Sequence, residues 1–296
     1  MNPMFLSVIV PAYNEDARIA DTISAVSVEI DRLGVDAELI VVDDGSTDRT
    51  ASIVAEASRA DPRVRLVRCA HAGKGAAVRR GMLDARGAWR FLADADLSMP
   101  ISELRRFIPA SAEGFGAASP AFAESPGEAR ASKASPADVI VGSREAAGAT
   151  RTGEPWLRHA IGRVFNWVVK LLVLRGINDT QCGFKLFSAG AAGALFPLQR
   201  LDGFGFDVEI LFLARRAGLV VREIPVTWEY RRDSKVNVAS GARGFLDLLT
   251  IRWNQVRGAY PPPARERAAR FRGELAITGS SDCVDHDRDG GDRGVL

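Results

Sequence analysis

The stretch that decides the fold is Trp89-Arg90-Phe91-Leu92-Ala93-Asp94-Ala95-Asp96, an apolar run that ends at two carboxylates one residue apart. Read as a buried strand, the run ends at Ala93, and the two-residue repeat of an extended chain places Asp94 and Asp96 on the same side. Two such carboxylates suit Mg²⁺ or Mn²⁺, which prefer oxygen ligands and keep coordination positions for phosphates. Asp is also common in ordinary turns after strands, so the pair alone leaves both interpretations open.

Two upstream stretches repeat this arrangement of an apolar run followed by polar residues. Ser7–Glu15 ends in a polar turn, and Leu39–Ser46 ends in the paired acids Asp43 and Asp44. In an open parallel sheet, ligands bind beyond the carboxyl ends of the strands. We therefore expect the polar ends of all three runs to converge on one crevice.

The segments between these runs have the spacing of helices. After the stretch Ser7–Glu15, apolar residues recur at helical spacing at Ile19, Ile23, Val26 and Ile30. Gly34 ends this helix, a further strand is predicted over Val64–Val67, and another helix begins at Gly73 and stops at Gly87. This alternation predicts an α/β fold with a doubly wound sheet and right-handed crossovers.

Two cations lie where a phosphate could be bound. Gly73-Lys74-Gly75 lacks the glycine spacing and the Ser or Thr of a P-loop, but Lys74 at a helix start can meet a phosphate. Arg144 ends the strand Asp138–Ser143 at the same sheet edge as the acids, where an acidic site needs a cation for a phosphate. A solvated lysine and a solvated loop arginine are the ordinary alternatives.

Composition excludes several classes of protein. The chain has 296 residues with 47% hydrophobic and 26% charged residues, which is ordinary for a globular protein. With 39 basic and 37 acidic residues it has no basic field, so a nucleic-acid partner is not expected. Its 3 cysteines form no zinc spacing and no disulfide framework, which favours a reducing cytosol. Neither a secretory signal nor a membrane-spanning segment is predicted.

The segment Trp156–Arg175 predicts an amphipathic helix. Its apolar stripe consists of Leu157, Ile161, Val164, Phe165, Val168, Leu171 and Leu172, and its basic face carries His159, Arg163, Asn166 and Lys170. Such a stripe is typical of a helix packed on the core, but with flanking tryptophans it also suits a helix lying on a membrane surface. A second amphipathic helix is predicted over Phe245–Val256.

Later segments add polar groups and define the domain. Phe206–Leu213 begins a helix whose first turn is acidic. Acidic side chains at this position are explained by their favourable interaction with the positive end of the helix dipole. Ser234 and Lys235 lie in a basic loop that could hold an anion. Low apolar periodicity predicts a flexible insertion at 109–136 and a disordered polar tail at 259–296, leaving one domain over 1–258.

Taken together, the motifs resemble family 2 glycosyltransferases, and within them the polyprenyl-phosphate sugar synthases, over roughly residues 5–258. The residues that carry the resemblance are Val10–Glu15, Val42–Asp48, Gly73–Gly75, Asp94–Asp96 and Val141–Arg144, in that order. Asp179–Phe187, Phe206–Glu209 and Ser234-Lys235 look most like the dolichyl-phosphate β-glucosyltransferase branch. Each motif is weak alone, but their order is specific.

The resemblance implies a GT-A fold, which is a Rossmann-like α/β fold with a mixed but mostly parallel sheet and helices on both faces. It also implies a nucleotide-sugar donor and a polyprenyl-phosphate lipid acceptor. The residues it places at the donor are Pro11, Ala12, Tyr13, Glu15, Asp43, Asp44 and Lys74. It assigns Asp94 and Asp96 to a Mg²⁺ or Mn²⁺ ion on the donor diphosphate, with Ser98 where mannosyl relatives often have Gln. It assigns Arg144, Ser234 and Lys235 to phosphates of donor or acceptor and puts Asp179 near the reacting centre.

The chemistry that follows is one displacement at the anomeric carbon with inversion, most simply transfer of glucose from UDP-glucose. A lipid phosphate is already an anionic nucleophile, so no catalytic histidine is needed. The alternatives are mannosyl or N-acetylhexosaminyl transfer to the same lipid, a nucleotidyltransferase, or a non-catalytic nucleotide-sugar binder. We expect a peripheral protein on the cytoplasmic face of the membrane, docking by itself or through a separate membrane-protein partner.

Overall fold

The structure is a computed structural model that describes residues 4–108, 137–174, 176–230 and 238–260. The predicted insertion at 109–136, the chain beyond residue 260, and Ser234 and Lys235 lie outside these described residues.

The described chain folds into nine strands and eight α-helices. The strands are β1 (Leu6–Ala12), β2 (Ala37–Asp43), β3 (Val64–Arg68), β4 (Trp89–Leu92), β5 (Val139–Ser143), β6 (Thr150–Thr152), β7 (Lys185–Ser188), β8 (Val221–Pro225) and β9 (Thr227–Glu229). The helices are α1 (Ile19–Leu33), α2 (Thr50–Ala60), α3 (Lys74–Asp84), α4 (Leu104–Phe107), α5 (Trp156–Leu172), α6 (Ala189–Leu195), α7 (Phe206–Arg216) and α8 (Val238–Val256).

Seven strands form one sheet in the order β3-β2-β1-β4-β7-β5-β8, and β6 pairs with β9 in a small second sheet. All pairs in the large sheet are parallel except those of β7, which runs antiparallel to both β4 and β5. The predicted fold class, a mixed and mostly parallel sheet, is confirmed. Because β7 runs against its neighbours, its first residue lies at the edge where β4 and β5 end.

Helices cover both faces of the large sheet, as β1 illustrates. Val8 and Val10 pack in one core cluster with Val26 of α1, whereas Ile9 packs in the other with Met82 of α3. Every residue of β1 is buried, as expected for a parallel strand covered on both sides. The carboxyl ends of the strands are therefore the part of the sheet that is left open for a ligand.

The carboxyl-terminal part of the described chain differs from the prediction. Helix α8 begins at Val238, seven residues before the predicted start at Phe245. The ordered chain also passes the boundary predicted at residue 258, because Tyr260 is fully buried and donates a hydrogen bond from its hydroxyl to Glu209 Oε1 at 2.6 Å. A buried aromatic ring with a satisfied hydroxyl anchors this segment to α7.

The apolar stripe of α5 does not pack on the core as a whole. Phe165 and Val169 are buried, but Ile161, Val164 and Leu171 are each more than half exposed. The periodicity located the helix, but it did not determine which of its residues face the core. No helix within the described part of the chain is long and apolar enough to span a membrane.

Candidate active site

The predicted site residues lie at one edge of the large sheet. Strands β1, β2, β4 and β5 all end there, and β7 begins there with Lys185. The side chains thus come from five strands, although their positions span much of the chain. This is the edge at which open α/β sheets bind ligands.

The turn after β4 positions the paired acids. The backbone N–H of Leu97 donates to the Asp94 carbonyl at 3.2 Å, and the Ser98 N–H donates to Asp96 Oδ1 at 3.0 Å. Thr22 of α1 donates its hydroxyl to the Ala95 carbonyl at 2.6 Å. Leu97 has a φ of 43°, a conformation that non-glycine residues rarely adopt and that is often found at functional sites. The turn is therefore held firmly in a strained shape.

Asp94 is enclosed by two close neighbours. The Lys74 ammonium lies 2.6 Å from its Oδ1, and a Cβ added at Gly183 would lie 2.1 Å from its Oδ2, so no larger residue fits there. Burial opposes the charge on both partners, but the ion pair outweighs it. The pKa of Asp94 is lowered by Lys74, and the pKa of Lys74 is raised by Asp94 and Asp207. Both groups are therefore charged at neutral pH.

Arg144 and Asp179 form a second, bidentate ion pair. Arg144 donates from Nε at 2.7 Å, from Nη2 at 2.9 Å and from its backbone N–H at 3.0 Å to the Asp179 carboxylate, which is fully buried. Burial alone would raise the pKa of Asp179, but Arg144 lowers it to about 2. The guanidinium also lies 5.6 Å from the centre of the Trp228 ring. Arg144 is thus held rigidly at the site.

Lys185 and Asp207 form a third pair that sequence reasoning missed. Lys185 is almost completely buried, and its Nζ donates to Asp207 Oδ1 at 2.6 Å and to the Cys182 carbonyl at 2.5 Å. Burial raises the pKa of Asp207. Both residues lie in stretches that carried the family resemblance, and only that resemblance could have suggested them. The pair ties the loop before β7 to the start of α7.

The residues predicted to contact a nucleoside gather around the end of β2. Tyr13 stacks on His71, with ring centroids 4.1 Å apart and planes inclined by 20°. Asp44 accepts hydrogen bonds from the backbone N–H groups of Ala72 and Gly73, both at 2.9 Å, and lies 2.9 Å from His71 Nδ1. Asp44 therefore shapes the turn that presents Lys74, a role that the sequence did not indicate.

The remaining predicted donor residues lie beside this group. Pro11 and Ala12 are the last residues of β1 and are buried. Asp43 ends β2, is buried, and accepts a hydrogen bond from the Ser46 N–H at 3.1 Å. Glu15 lies 2.8 Å from the Arg18 guanidinium. Of the predicted residues only Ser234 and Lys235 cannot be placed, since they are outside the described ranges.

A loop before α7 covers the Lys74 turn. The backbone N–H of Ala76 donates to the Asp202 carbonyl at 3.2 Å, and a Cβ at Gly73 would lie 2.6 Å from the same oxygen. Gly73 also has a φ of 119°, which disfavours any other residue. The glycine is required because two backbone segments meet here. Phe204 of the loop places its ring centre 5.9 Å from Lys74 Nζ.

The chemistry of Asp94 and Asp96 fits a hard divalent cation. In the ranges that the structure describes, no group of three or more His, Cys, Asp or Glu side chains is arranged to hold a metal ion. A two-carboxylate set matches Mg²⁺ or Mn²⁺ bound jointly by protein and substrate phosphates, whereas a complete protein cage would not leave room for them. Asp94 and Asp96 would hold the ion, and phosphate oxygens and water would complete its coordination.

Comparison with known proteins identifies the class. Residues 7–195 match the family model described as Glycosyl transferase family 2, and the chain belongs to this family. The predicted family is therefore confirmed.

Curated relatives narrow the comparison to one group. The chain is 33% identical over 267 residues to a dolichyl-phosphate beta-glucosyltransferase of Saccharomyces cerevisiae. The aligned residues cover 87% of this chain and 77% of the relative. It is 31% identical over 264 residues to the protein of that name from Homo sapiens, covering 86% of this chain and 77% of the relative. The branch that the later motifs indicated is the one these relatives belong to.

Solved structures show the same fold. Glucosyl-3-phosphoglycerate synthase from Mycobacterium tuberculosis, in complex with phosphoglyceric acid, superposes with a TM-score of 0.57 at 18% identity over 84% of this chain and 80% of that chain. The same synthase in complex with Mn²⁺, uridine-diphosphate and glucosyl-3-phosphoglycerate gives a TM-score of 0.56 at 17% identity over the same shares of the two chains. At this identity the likeness supports the GT-A fold alone.

Proposed function

We propose that this protein transfers glucose from UDP-glucose to a polyprenyl phosphate of the dolichyl type, with inversion at the anomeric carbon and with Mg²⁺ or Mn²⁺ as the cofactor. The observation that carries the proposal is the joint placement of two metal-type carboxylates and a rigidly held arginine at one sheet edge. The glucosyl and dolichyl specificities are supported by the names of the relatives.

The reaction breaks the bond between the sugar and a diphosphate, on which negative charge develops. The divalent ion, when bound, supplies charge neutralisation for that leaving group. Lys74 at the start of α3 and Arg144 at the end of β5 add positive charge, which stabilises the transition state electrostatically. Asp179 holds Arg144 in place through its bidentate contact. We assign Asp179 to positioning and Arg144 to phosphate binding.

The acceptor needs little activation. A lipid phosphate is ionised at neutral pH, so it attacks without losing a proton to a general base. The oxygen–carbon bond to the acceptor forms as the carbon–oxygen bond to the diphosphate breaks, and the α-linked donor gives a β-linked product. Tyr13 and Asp44 then belong to the donor side of the site, together with the β2 end. Ser234 and Lys235 stay predicted phosphate ligands.

A transfer assay tests the proposed reaction. Purified protein with Mg²⁺ and polyprenyl phosphate is offered labelled UDP-glucose, UDP-N-acetylhexosamine or GDP-mannose, and label should appear in the lipid from UDP-glucose. Asp96→Ala should lower turnover by roughly 100-fold or more, whereas Asp84→Ala, which removes a carboxylate on α3 that pairs with Arg80, should leave it unchanged. Label in the lipid from another donor would keep the proposed mechanism but replace glucose with the sugar of that donor. Full turnover by Asp96→Ala would refute the metal mechanism.

We further propose that the protein docks on a membrane surface through an exposed apolar patch, the α5–α8 pad. The pad consists of Trp156, Ile161, Val164, Trp167 and Leu171 of α5 with Leu246, Leu249, Trp253 and Val256 of α8, which are 53% to 80% exposed. The helices adjoin, because the Phe165 and Phe245 rings lie 5.2 Å apart. Large exposed apolar side chains on two adjoining helices are of the kind that marks an interaction site.

The charges around the pad suit an anionic lipid surface. Helix α5 contains no acidic residue and carries Arg163 and Lys170, and the described end of α8 carries Arg252 and is followed by Arg257. Asp247 is the acidic residue of α8. Apolar residues flanked by arginine and lysine are typical of helices that lie in the membrane interface.

The pad also adjoins the proposed acceptor end of the site. Lys170 of α5 donates to Asn178 Oδ1 at 2.9 Å, and Thr180 donates to Asn166 Oδ1 at 3.4 Å. These contacts flank Asp179, which holds Arg144. A lipid resting under α5 would therefore present its phosphate close to this pair.

Vesicle flotation tests the docking. The wild-type protein should float with vesicles that contain anionic lipid, and Trp167→Ser combined with Trp253→Ser should lower the bound fraction about tenfold. Leu83→Ser, which removes an exposed leucine of α3 outside the pad, is the matched control and should float like the wild type. A wild-type protein that stays in the aqueous fraction would refute direct docking and favour a separate membrane-protein partner.

A further inference from the structure

The Lys74 ammonium contacts Asp94, a carboxylate that would hold the metal ion. Asp94 Oδ2 faces Gly183 so closely that even a methyl group would collide with it. Asp94 Oδ1 is 2.6 Å from Lys74 Nζ. Whichever oxygen of Asp94 a divalent cation uses, one carboxylate would hold the cation and the Lys74 ammonium close together. The two positive charges repel at such a short separation, so binding of the ion favours the release of Lys74 from Oδ1.

We propose that Lys74 is an exchangeable counter-ion that couples metal binding to donor binding. Without the donor, Lys74 pairs with Asp94; when the donor arrives, its diphosphate takes over Lys74 and the metal takes over Asp94. Metal and nucleotide therefore bind as a unit, and the metal alone binds weakly. This inference rests on the proposed function, because it requires a diphosphate ligand at this sheet edge.

The surroundings of Lys74 favour the diphosphate as its second partner. Lys74 is the first residue of α3, and the positive end of the helix dipole favours a phosphate near it. Asp207, another carboxylate that acts on Lys74, already accepts a hydrogen bond from the buried Lys185. Its charge is thus largely committed, and a bound diphosphate offers Lys74 more negative charge than Asp207 does.

The turn before α3 limits how far Lys74 can move. Gly73 is fixed by its positive φ and by the Asp202 carbonyl, and Asp44 accepts the N–H of Gly73. The backbone of Lys74 therefore stays in place, and the exchange is a rotation of the side chain. If Asp94 and the diphosphate bind the same metal ion, the two groups lie close together. A short rotation of the Lys74 side chain then moves its ammonium from Asp94 to the diphosphate.

Binding of Mn²⁺, measured by titration calorimetry with and without UDP, tests the exchange. Lys74→Met keeps the length of the side chain but removes its charge. This variant should bind Mn²⁺ alone at least about tenfold more tightly than the wild type. UDP should increase Mn²⁺ affinity about tenfold or more in the wild type and clearly less in the variant, because the coupling is reciprocal. Lys74→Gln should behave in the same way.

Two variants control the measurement. Arg80→Met removes a positive charge from the same helix, at an exposed pair with Asp84, and should bind Mn²⁺ like the wild type. Asp94→Asn should abolish Mn²⁺ binding in the wild-type and Lys74→Met backgrounds, which locates the ion. Thermal melting verifies that each variant is folded.

The possible results separate this inference from the proposed function. If Mn²⁺ alone binds Lys74→Met and Lys74→Gln no more tightly than the wild type, the exchange is refuted, and UDP binding with glucosyl transfer still supports the function. If the wild type binds neither UDP nor UDP-glucose in the presence of Mn²⁺, both the function and the exchange are refuted.

Discussion

Replacing Asp179 with Asn should destabilise the protein because it breaks the bidentate pair with Arg144. The Asp179 carboxylate is fully buried and accepts three hydrogen bonds from Arg144. Lowering its pKa from the ordinary 3.8 to about 2 corresponds to about 2.5 kcal/mol of stability at neutral pH. Removing one partner of a buried pair typically costs ~3–5 kcal/mol, so we expect a loss of about 3 kcal/mol.

The pH dependence has a defined direction. A carboxyl group whose folded pKa is lowered stabilises the protein above its unfolded pKa, and this contribution disappears as the pH falls through the folded pKa. For Asp179 the loss should therefore begin near pH 4 and be complete below about pH 2. Urea unfolding of the wild type and Asp179→Asn, at pH 7 and near pH 3, should give a difference that shrinks by roughly half.

An exposed pair provides the matched control. Asp84→Asn removes a carboxylate that pairs with Arg80 on the surface of α3, and it should cost less than ~1 kcal/mol. Asp179→Asn should also lower turnover, since Arg144 loses its positioning partner. A loss of stability at pH 7 no larger than that of Asp84→Asn, or one that does not change with pH, would refute the reasoning.

Two further variants test the packing around the site. Gly183→Ala should lower turnover by roughly 100-fold, because the added methyl group displaces the Asp94 carboxylate, whereas Gly193→Ala in α6, with no atom within 4 Å, should keep full turnover. Tyr260→Phe should lower the free energy of unfolding in urea by ~1–3 kcal/mol, because it removes a hydrogen bond from the buried Glu209; an unchanged midpoint would contradict the anchoring of this segment.

The sequence was sufficient to predict the strands that end at the site. Each of β1, β2, β4 and β5 is a short apolar run followed by polar residues, so a local pattern locates both the strand and its functional end. The place of β7 could not be predicted in this way. Its position between β4 and β5, and its antiparallel direction, depend on pairing between residues that are far apart in the chain.

Buried charges were the part of the site that local patterns could not reveal. Asp207 lies in the first turn of α7, where an acid is sufficiently explained by the helix dipole, and Lys185 begins a short strand. Neither local sequence shows that these two side chains, which are 22 residues apart in the chain, form a buried hydrogen bond. Asp44 is a similar case, since it was predicted as a ligand contact and is observed to hold the turn before Lys74.

Helix α5 shows what amphipathic periodicity does and does not determine. The pattern states which residues share a face, but the side that packs on the core depends on the neighbouring elements. Here Phe165 and Val169 are buried, Val168 packs partly against the core, and Phe165 meets Phe245 of α8. Ile161, Val164 and Leu171 of the stripe stay more than half exposed. Keeping large apolar side chains exposed works against solubility unless a partner covers them. In the docking that we propose, the membrane that covers the pad also carries the acceptor lipid, because the pad lies next to the loop that contains Asp179.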